Sequence, residues 1–284
     1  MGGMRTSAAV TTDSPGRQRA GTNVAAMTAL RPTGLKERHG TRHGADDDRG
    51  AAPFTRAALD YAAERRGQTL ALLQVGATTA GDDLDAGRLR MAGCDVAVTL
   101  IDDDTAAARA AAAGRPDLYA CTLCDLRMAP LVPRSVDIVH AALLERISNA
   151  ELVLDRLVET LRPGGQLLLQ AIDRDCAIGF LDRVLPRPLR ALIWRSLRPG
   201  GPGPYRAVYE RLVSERGIQS YVLRRGLVIA QRQTLSLLPG RRRPLWLRAV
   251  SGLVAGLSRG RLTADHDELR YIIRKPEDQF ARVL

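Results

Sequence analysis

The chain has 284 residues, 45% of them hydrophobic and 4% aromatic, with 42 Lys and Arg against 31 Asp and Glu for a net charge of +11. That much apolar surface supplies a sizeable core and excludes a wholly disordered chain, while so few aromatics argue against a base-stacking nucleic-acid platform. Four cysteines in a chain of this length do not make a secreted disulfide framework, no apolar leader opens the sequence, and no stretch approaches the ~18 apolar residues of a spanning helix, so the expected location is cytoplasmic.

In chain order, residues 1–50 are rich in Gly, Thr, Ser, Arg and Asp without an apolar period, which predicts a flexible tail ahead of one domain over 51–284. From Pro53 onward Phe54, Ala58, Leu59 and Ala62 recur at helical spacing, with Thr55 as N-cap and Gly67 as stop. Residues 69–75 form a short apolar run of the kind buried on both faces of a parallel sheet, and it ends in Gly76-Ala77-Thr78-Thr79-Ala80-Gly81. A helix around 86–92 leads to a second strand over 95–101, whose end carries Asp102, Asp103 and Asp104. An alanine-rich helix over 105–113, a third strand over 118–124 ending at Asp125, a fourth over 136–142 and a helix over 150–161 follow. Arg162-Pro163-Gly164-Gly165 breaks that helix, and 166–172 supplies a fifth strand. Strands and helices alternating at this spacing predict an α/β fold, Rossmann-like and doubly wound, with a mostly parallel sheet. Beyond it, 219–223, 227–237 and 269–274 are candidate closing strands, and 180–198 and 244–259 are basic, amphipathic segments. Residues 178–284 hold 21 basic and 8 acidic side chains, so the positive excess of the chain lies in its last third.

A strand, a small-residue turn and a helix present backbone N–H groups to a polar cofactor, and an acid at the end of the next strand can accept from a ribose. Four segments in this order carry a family resemblance: LLQVGATTAG, VTLIDDD, CDLRMAPLVPRSVDIVHAALLERI and LVETLRPGGQLLLQ. From about residue 54 to 276 the chain resembles class I S-adenosylmethionine-dependent methyltransferases of the small-molecule, type 11-like kind, with a degenerate glycine loop. The resemblance implies a core over 54–175, then a helical lid and an antiparallel closing pair over 176–276. It puts Gly76, Ala77 and Thr78 beside the methionine portion of S-adenosylmethionine, and Asp102, with Asp103 next to it, on the ribose. Asp125 and Leu126 would hold the adenine, and His140 would stand near the methyl group and the acceptor as the catalytic residue. The sequence departs from the family at Gln74, where an acid is usual, at Thr78 and Ala80, where glycines are usual, and at the inserted acids around Asp82, Asp83 and Asp85.

The implied activity is methyl transfer to a small-molecule or lipid-like acceptor. The alternative is a non-catalytic module of the same fold that binds a partner or a membrane surface through its basic last third. A nicotinamide oxidoreductase would need a better GxGxxG than Gly76 to Gly81 offers. Cys121 and Cys124 have CxxC spacing without a second pair, so they are expected as buried strand cysteines and no metal site is expected. Asp265-His266-Asp267 reads as a solvated turn and Arg241-Arg242-Arg243 as a solvated loop; nucleic acid is not an expected partner.

Overall fold

The computed structural model describes residues 52–65, 67–76, 84–197, 204–237 and 244–277. The predicted tail, the loop residues from Ala77 onward and Arg241 to Arg243 lie outside them. Helix α1 (Pro53–Glu64) begins at Pro53 because a ring-fixed φ and a missing N–H are both tolerated in the first helical turn. Its N-cap is Ala52 and not Thr55; the buried Thr55 hydroxyl instead accepts from the backbone N–H of Asp85 at 3.0 Å. Gly67, at φ +83°, turns the chain back into the sheet.

Seven strands form one sheet in the order β3-β2-β1-β4-β5-β7-β6. β1 (Leu70–Val75), β2 (Val96–Asp102), β3 (Leu118–Leu123), β4 (Val136–Ala141) and β5 (Leu161–Ile172) are parallel. β7 (Glu268–Arg274) runs antiparallel to both β5 and β6 (Val228–Leu235). The predicted mostly parallel sheet with an antiparallel closing pair is thus present. Strand order reverses between β1 and β4, and such a reversal opens a crevice at the carboxyl ends of the strands.

The apolar runs that predicted the strands are explained by layers on both faces. On one side Ile138, Leu72 and Leu168 pack under α1 and α2 (Ala86–Met91), with Phe54, Tyr61 and Leu89. On the other, Val139, Leu73 and Leu169 meet α4 (Ala150–Thr160) and α7 (Glu215–Arg224) through Val153, Leu154, Leu157 and Tyr221. The α4 residues repeat at the three- and four-residue spacing of a helix face, and each buried leucine contributes roughly 1.5–3 kcal/mol. Helix α3 (Ala106–Ala113) has Thr105 as N-cap, its hydroxyl accepting from Ala108 N–H.

At the amino edge of the sheet the buried Asp137 accepts from Ala71 N–H at 2.9 Å, from Arg162 Nη1 at 2.7 Å and from the Tyr61 hydroxyl at 3.4 Å. A Cβ on Gly165 would come within 2.8 Å of the Asp137 carbonyl oxygen. The Leu-Arg-Pro-Gly-Gly turn is therefore a clasp on the fourth strand. It lies at the start of β5, which begins at Leu161, earlier than residue 166, with an irregular register before Ile138 pairs with Gln166.

Two expectations for the last third need correction. Residues 219–223 are not a strand but part of α7, because Ile218, Tyr221 and Val222 fall on one helical face and the Ser214 hydroxyl caps Gly217 N–H. Asp265-His266-Asp267 is no solvated turn: Asp267 is wholly buried, and His266 Nε2 lies 2.9 Å from Oδ2 of Asp173. The lid forms as expected, from α5 (Ala177–Val184), α6 (Arg187–Leu197) and α8 (Leu245–Leu257), around Trp194, Tyr209 and Leu247. No described helix is long and apolar enough to cross a membrane.

Candidate functional site

At the carboxyl ends of β2 and β3 lies a pocket of about 440 Å³. Asp102 and Asp103 reach it from the end of β2, and Asp125, Leu126 and Arg127 from the turn after β3. Arg146, Ile147 and Ser148 come from the turn after β4, and Tyr205 and Arg206 from the segment between α6 and α7. Four of the sequence-predicted site residues, Asp102, Asp103, Asp125 and Leu126, are thus brought together. Asp102 is 4% exposed and Leu126 3%. Oδ1 of Asp102 accepts from the Asp103 N–H at 2.8 Å, which orients the carboxylate at the strand end.

The pocket mixes charges. Burial raises the Asp103 carboxyl above its ordinary range, and the neighbouring charges of Asp102 and Asp125 add to this. Asp125 behaves in the opposite way, held down to about 2 by the Arg127 guanidinium, whose Nη2 and Nε donate to it at 2.5 and 3.0 Å. Its side chain is 45% exposed, so the predicted adenine contact starts from a carboxylate already engaged at the pocket rim.

The opposite wall is held by tertiary contacts that no local sequence signal announces. The guanidinium of Arg146 stacks on the Tyr205 ring, 3.1 Å from its centroid. The Glu145 carbonyl accepts from both Val208 and Tyr209 N–H at 3.0 Å, and the Glu210 carboxylate caps α4 through Asn149 and Ala150 N–H at 2.6 and 3.0 Å. Behind Tyr205, the buried Asp182 of α5 accepts from Trp194 Nε1 at 2.8 Å, Arg190 Nε at 2.9 Å and the Tyr209 hydroxyl at 3.1 Å. Trp194 in turn meets the Tyr205 ring edge-on at 5.9 Å. Sequence reasoning missed Arg146, Tyr205, Arg206 and Asp182; Arg146 lay inside a family-like segment and Asp182 inside the amphipathic segment 180–198, but neither was singled out.

His140 is not brought to this pocket. It is wholly buried on the face of β4 that looks at α1, its ring edge-on to Phe54 with centroids 5.4 Å apart. Neither ring nitrogen has a partner at hydrogen-bond geometry, although the Gln170 side chain lies close enough to offset a little of the lowering of its pKa. Burial, reinforced by the charge of Arg270, pushes its pKa down to about 4, so it is a weak base at neutral pH. Gly76 follows β1 at φ +91°, a conformation that favours glycine, and its N–H donates to the Ile101 carbonyl at 3.0 Å. The predicted contacts of Ala77 and Thr78 lie outside the described residues. Cys121 is exposed and Cys124 half-buried, correcting the expectation that both are buried, and among the described residues no group of side chains could hold a metal ion.

The strand order, the antiparallel closing pair and a pocket at the carboxyl ends of β2 and β3 define the fold class as Rossmann-like, of the kind found in class I methyltransferases. No protein-family model matches the chain, and no curated protein matches it in sequence. Among solved structures it is similar to an S-adenosylmethionine-dependent methyltransferase from Mesorhizobium loti, at 16% identity over 80% of this chain and 99% of that one, TM-score 0.44. It is also similar to a geranyl diphosphate C-methyltransferase from Streptomyces coelicolor A3(2), at 16% identity over 77% and 75% of the two chains, TM-score 0.44. The cyclase SpnF matches at 17% identity over 83% and 86%, TM-score 0.44. At these scores none of the three assigns an activity or a ligand to this chain.

Proposed function

We propose that this chain is a cytoplasmic methyltransferase that uses S-adenosylmethionine and acts on a small-molecule or lipid-like acceptor, with its working unit over 51–284. The observation that carries the reading is the convergence of Asp102, Asp103, Asp125 and Leu126 on one pocket at the carboxyl ends of β2 and β3. Four free thiols favour the reducing compartment.

The donors and acceptors present suit a nucleoside. Asp102, fixed by its own neighbour's N–H, is poised to accept from two ribose hydroxyls, and buried Leu126 offers an apolar surface for a base. Gly76 would let the backbone turn beside the ligand without a side chain in the way, with Ala77 and Thr78 continuing that loop. Asp125 can accept an exocyclic amine only by sharing its oxygens with Arg127. S-adenosylmethionine supplies an activated methyl group for in-line displacement, so the protein's share of the work is to orient the acceptor and exclude water. The wall of Tyr205 and Arg206, anchored through Asp182, performs the second task. His140 would contribute as a base only if the acceptor approached from the α1 face.

The reading is tested by calorimetric titration of the whole chain with S-adenosylmethionine and S-adenosylhomocysteine. One-site binding is expected, weakened about 10- to 100-fold in Asp102→Ala, the range for lost hydrogen bonds to a charged group. An absence of binding to either compound would sink the enzyme reading and leave the non-catalytic module.

A further inference from the structure

Helix α8 is the most apolar helix of the lid and buries little of itself. Leu247 and Ser251 face the protein, with Val250 and Val254 partly covered. Leu245 is 79% exposed, Trp246 42%, Leu253 63% and Leu257 75%. Positions 246, 253 and 257 lie within about 40° of one another on a helical wheel and run along roughly 16 Å of the helix. A soluble surface has no reason to gather a tryptophan and two leucines into one stripe, unlike singly scattered apolar residues.

The charge flanking the stripe along the sequence is of one sign. Residues 241–264 contain six arginines and no Asp or Glu. Arg241-Arg242-Arg243 immediately precede the helix segment in sequence, Arg248 lies within it, and Arg259 and Arg261 follow. Arg248, Arg259 and Arg261 are exposed. An apolar stripe with tryptophan at one end, set between basic flanks, is the composition of a helix that lies in the plane of a bilayer interface, its apolar face among acyl chains and its arginines at phosphate level. A nucleic-acid surface would have use for the arginines but none for the leucines, which would stay in water.

We infer that α8 docks the protein on an anionic phospholipid surface, with Trp246, Leu253 and Leu257 entering the interface and the exposed Arg259 and Arg261 contacting headgroup phosphates. This is independent of the methyl-transfer reading. The docking helix shares a packed cluster with Trp194 and Tyr209 through Leu247, and those residues support the pocket wall, so an acceptor drawn from the bilayer would meet the lid first.

The test mixes the full chain with phosphatidylcholine vesicles, with and without phosphatidylglycerol, and reads both co-sedimentation and the emission of Trp246, Trp194 being buried. Binding only to the anionic vesicles, weakened by salt, is expected, with a drop of about tenfold or more in the triple variant W246S/L253S/L257S and none in Leu152→Ser, an exposed leucine on α4. Quenching of Trp246 in the unmodified chain by brominated lipid is the second measurement, and it does not depend on any variant folding. No partition into anionic vesicles, or no quenching, overturns the inference. So does binding that the triple variant leaves intact, preferential binding to duplex DNA that removes the chain from vesicles, or a self-association that the triple variant abolishes while vesicle binding persists.

Discussion

Asp137 and His140 sit three residues apart on β4, both buried, with opposite consequences. Asp137 receives a backbone N–H, a phenol and a guanidinium, so truncating it strands Ala71 N–H and two side chains at once. Because Arg162 is 42% exposed and can rehydrate, the cost should be at the lower end for a buried network, about 2–3 kcal/mol in Asp137→Ala by denaturant unfolding. His140 satisfies neither nitrogen, so an apolar residue of similar size should be tolerated or stabilising, by up to ~1 kcal/mol in His140→Leu. The sign with pH follows. His140 has a folded pKa depressed to about 4, so the unfolded chain takes its proton first, and stability falls as pH drops from about 6.5 towards 4. The variant should lose that part of the acid sensitivity. Should methyl transfer vanish in His140→Leu while S-adenosylhomocysteine still binds, the histidine would be reinstated as the base.

His266 has the reverse dependence. Its bond to the buried Asp173 raises its pKa, so the folded chain holds the proton more tightly; that stability is full below about pH 6.5 and is lost as pH rises through the folded value. Melting of the wild type and His266→Gln should therefore differ most on the acid side of neutrality and converge above the folded pKa. Equal differences at all pH values would mean that the imidazole acts by packing alone.

Among the elements, the lid depends on one carboxylate. Asp182 accepts three donors and holds α5, α6 and the Tyr209 strand of chain together, and through Trp194 and Tyr205 it shapes the pocket. Asp182→Ala should cost about 3 kcal/mol, as for a buried pair that loses one partner. It should also weaken S-adenosylhomocysteine binding several-fold, although Asp182 does not line the pocket; unchanged affinity would detach the lid from the site. Such elements mark where the sequence is legible. β1 and β2 are largely apolar runs and could be read directly, as could the placement of Asp102 at the end of β2 and of Asp125 in the turn after β3, which brings both to the pocket; β4 was legible despite the buried Asp137 and His140 within it. The segment 219–223 is locally a good strand and was decided by Ser214 and by the packing of Tyr221. Arg146, Tyr205 and Asp182 meet only through folding, and the Asp173 to His266 bond spans 93 residues, so no window along the chain contains them. The most family-like segments, around Asp137 and the Leu-Arg-Pro-Gly-Gly turn, proved to be each other's partners at the amino edge of the sheet, the end away from the pocket. Their likeness speaks for the fold and leaves the chemistry to be argued from the other edge.

For the whole molecule, the question is how much of the chain the folded unit needs. Pro53 starts α1 without any preceding side chain as a cap. Residues 1–50 carry no apolar period of their own. A chain beginning at residue 51 should therefore melt within about 2 °C of the full chain, since a loss of 1 kcal/mol in a domain of this size shifts the midpoint by roughly 2–4 °C. It should also bind S-adenosylhomocysteine with the same affinity. A larger fall in melting temperature would mean that the leading segment packs on the domain, and a selective loss of ligand binding would mean that it covers the pocket. Either result would move the amino boundary of the working unit ahead of residue 51.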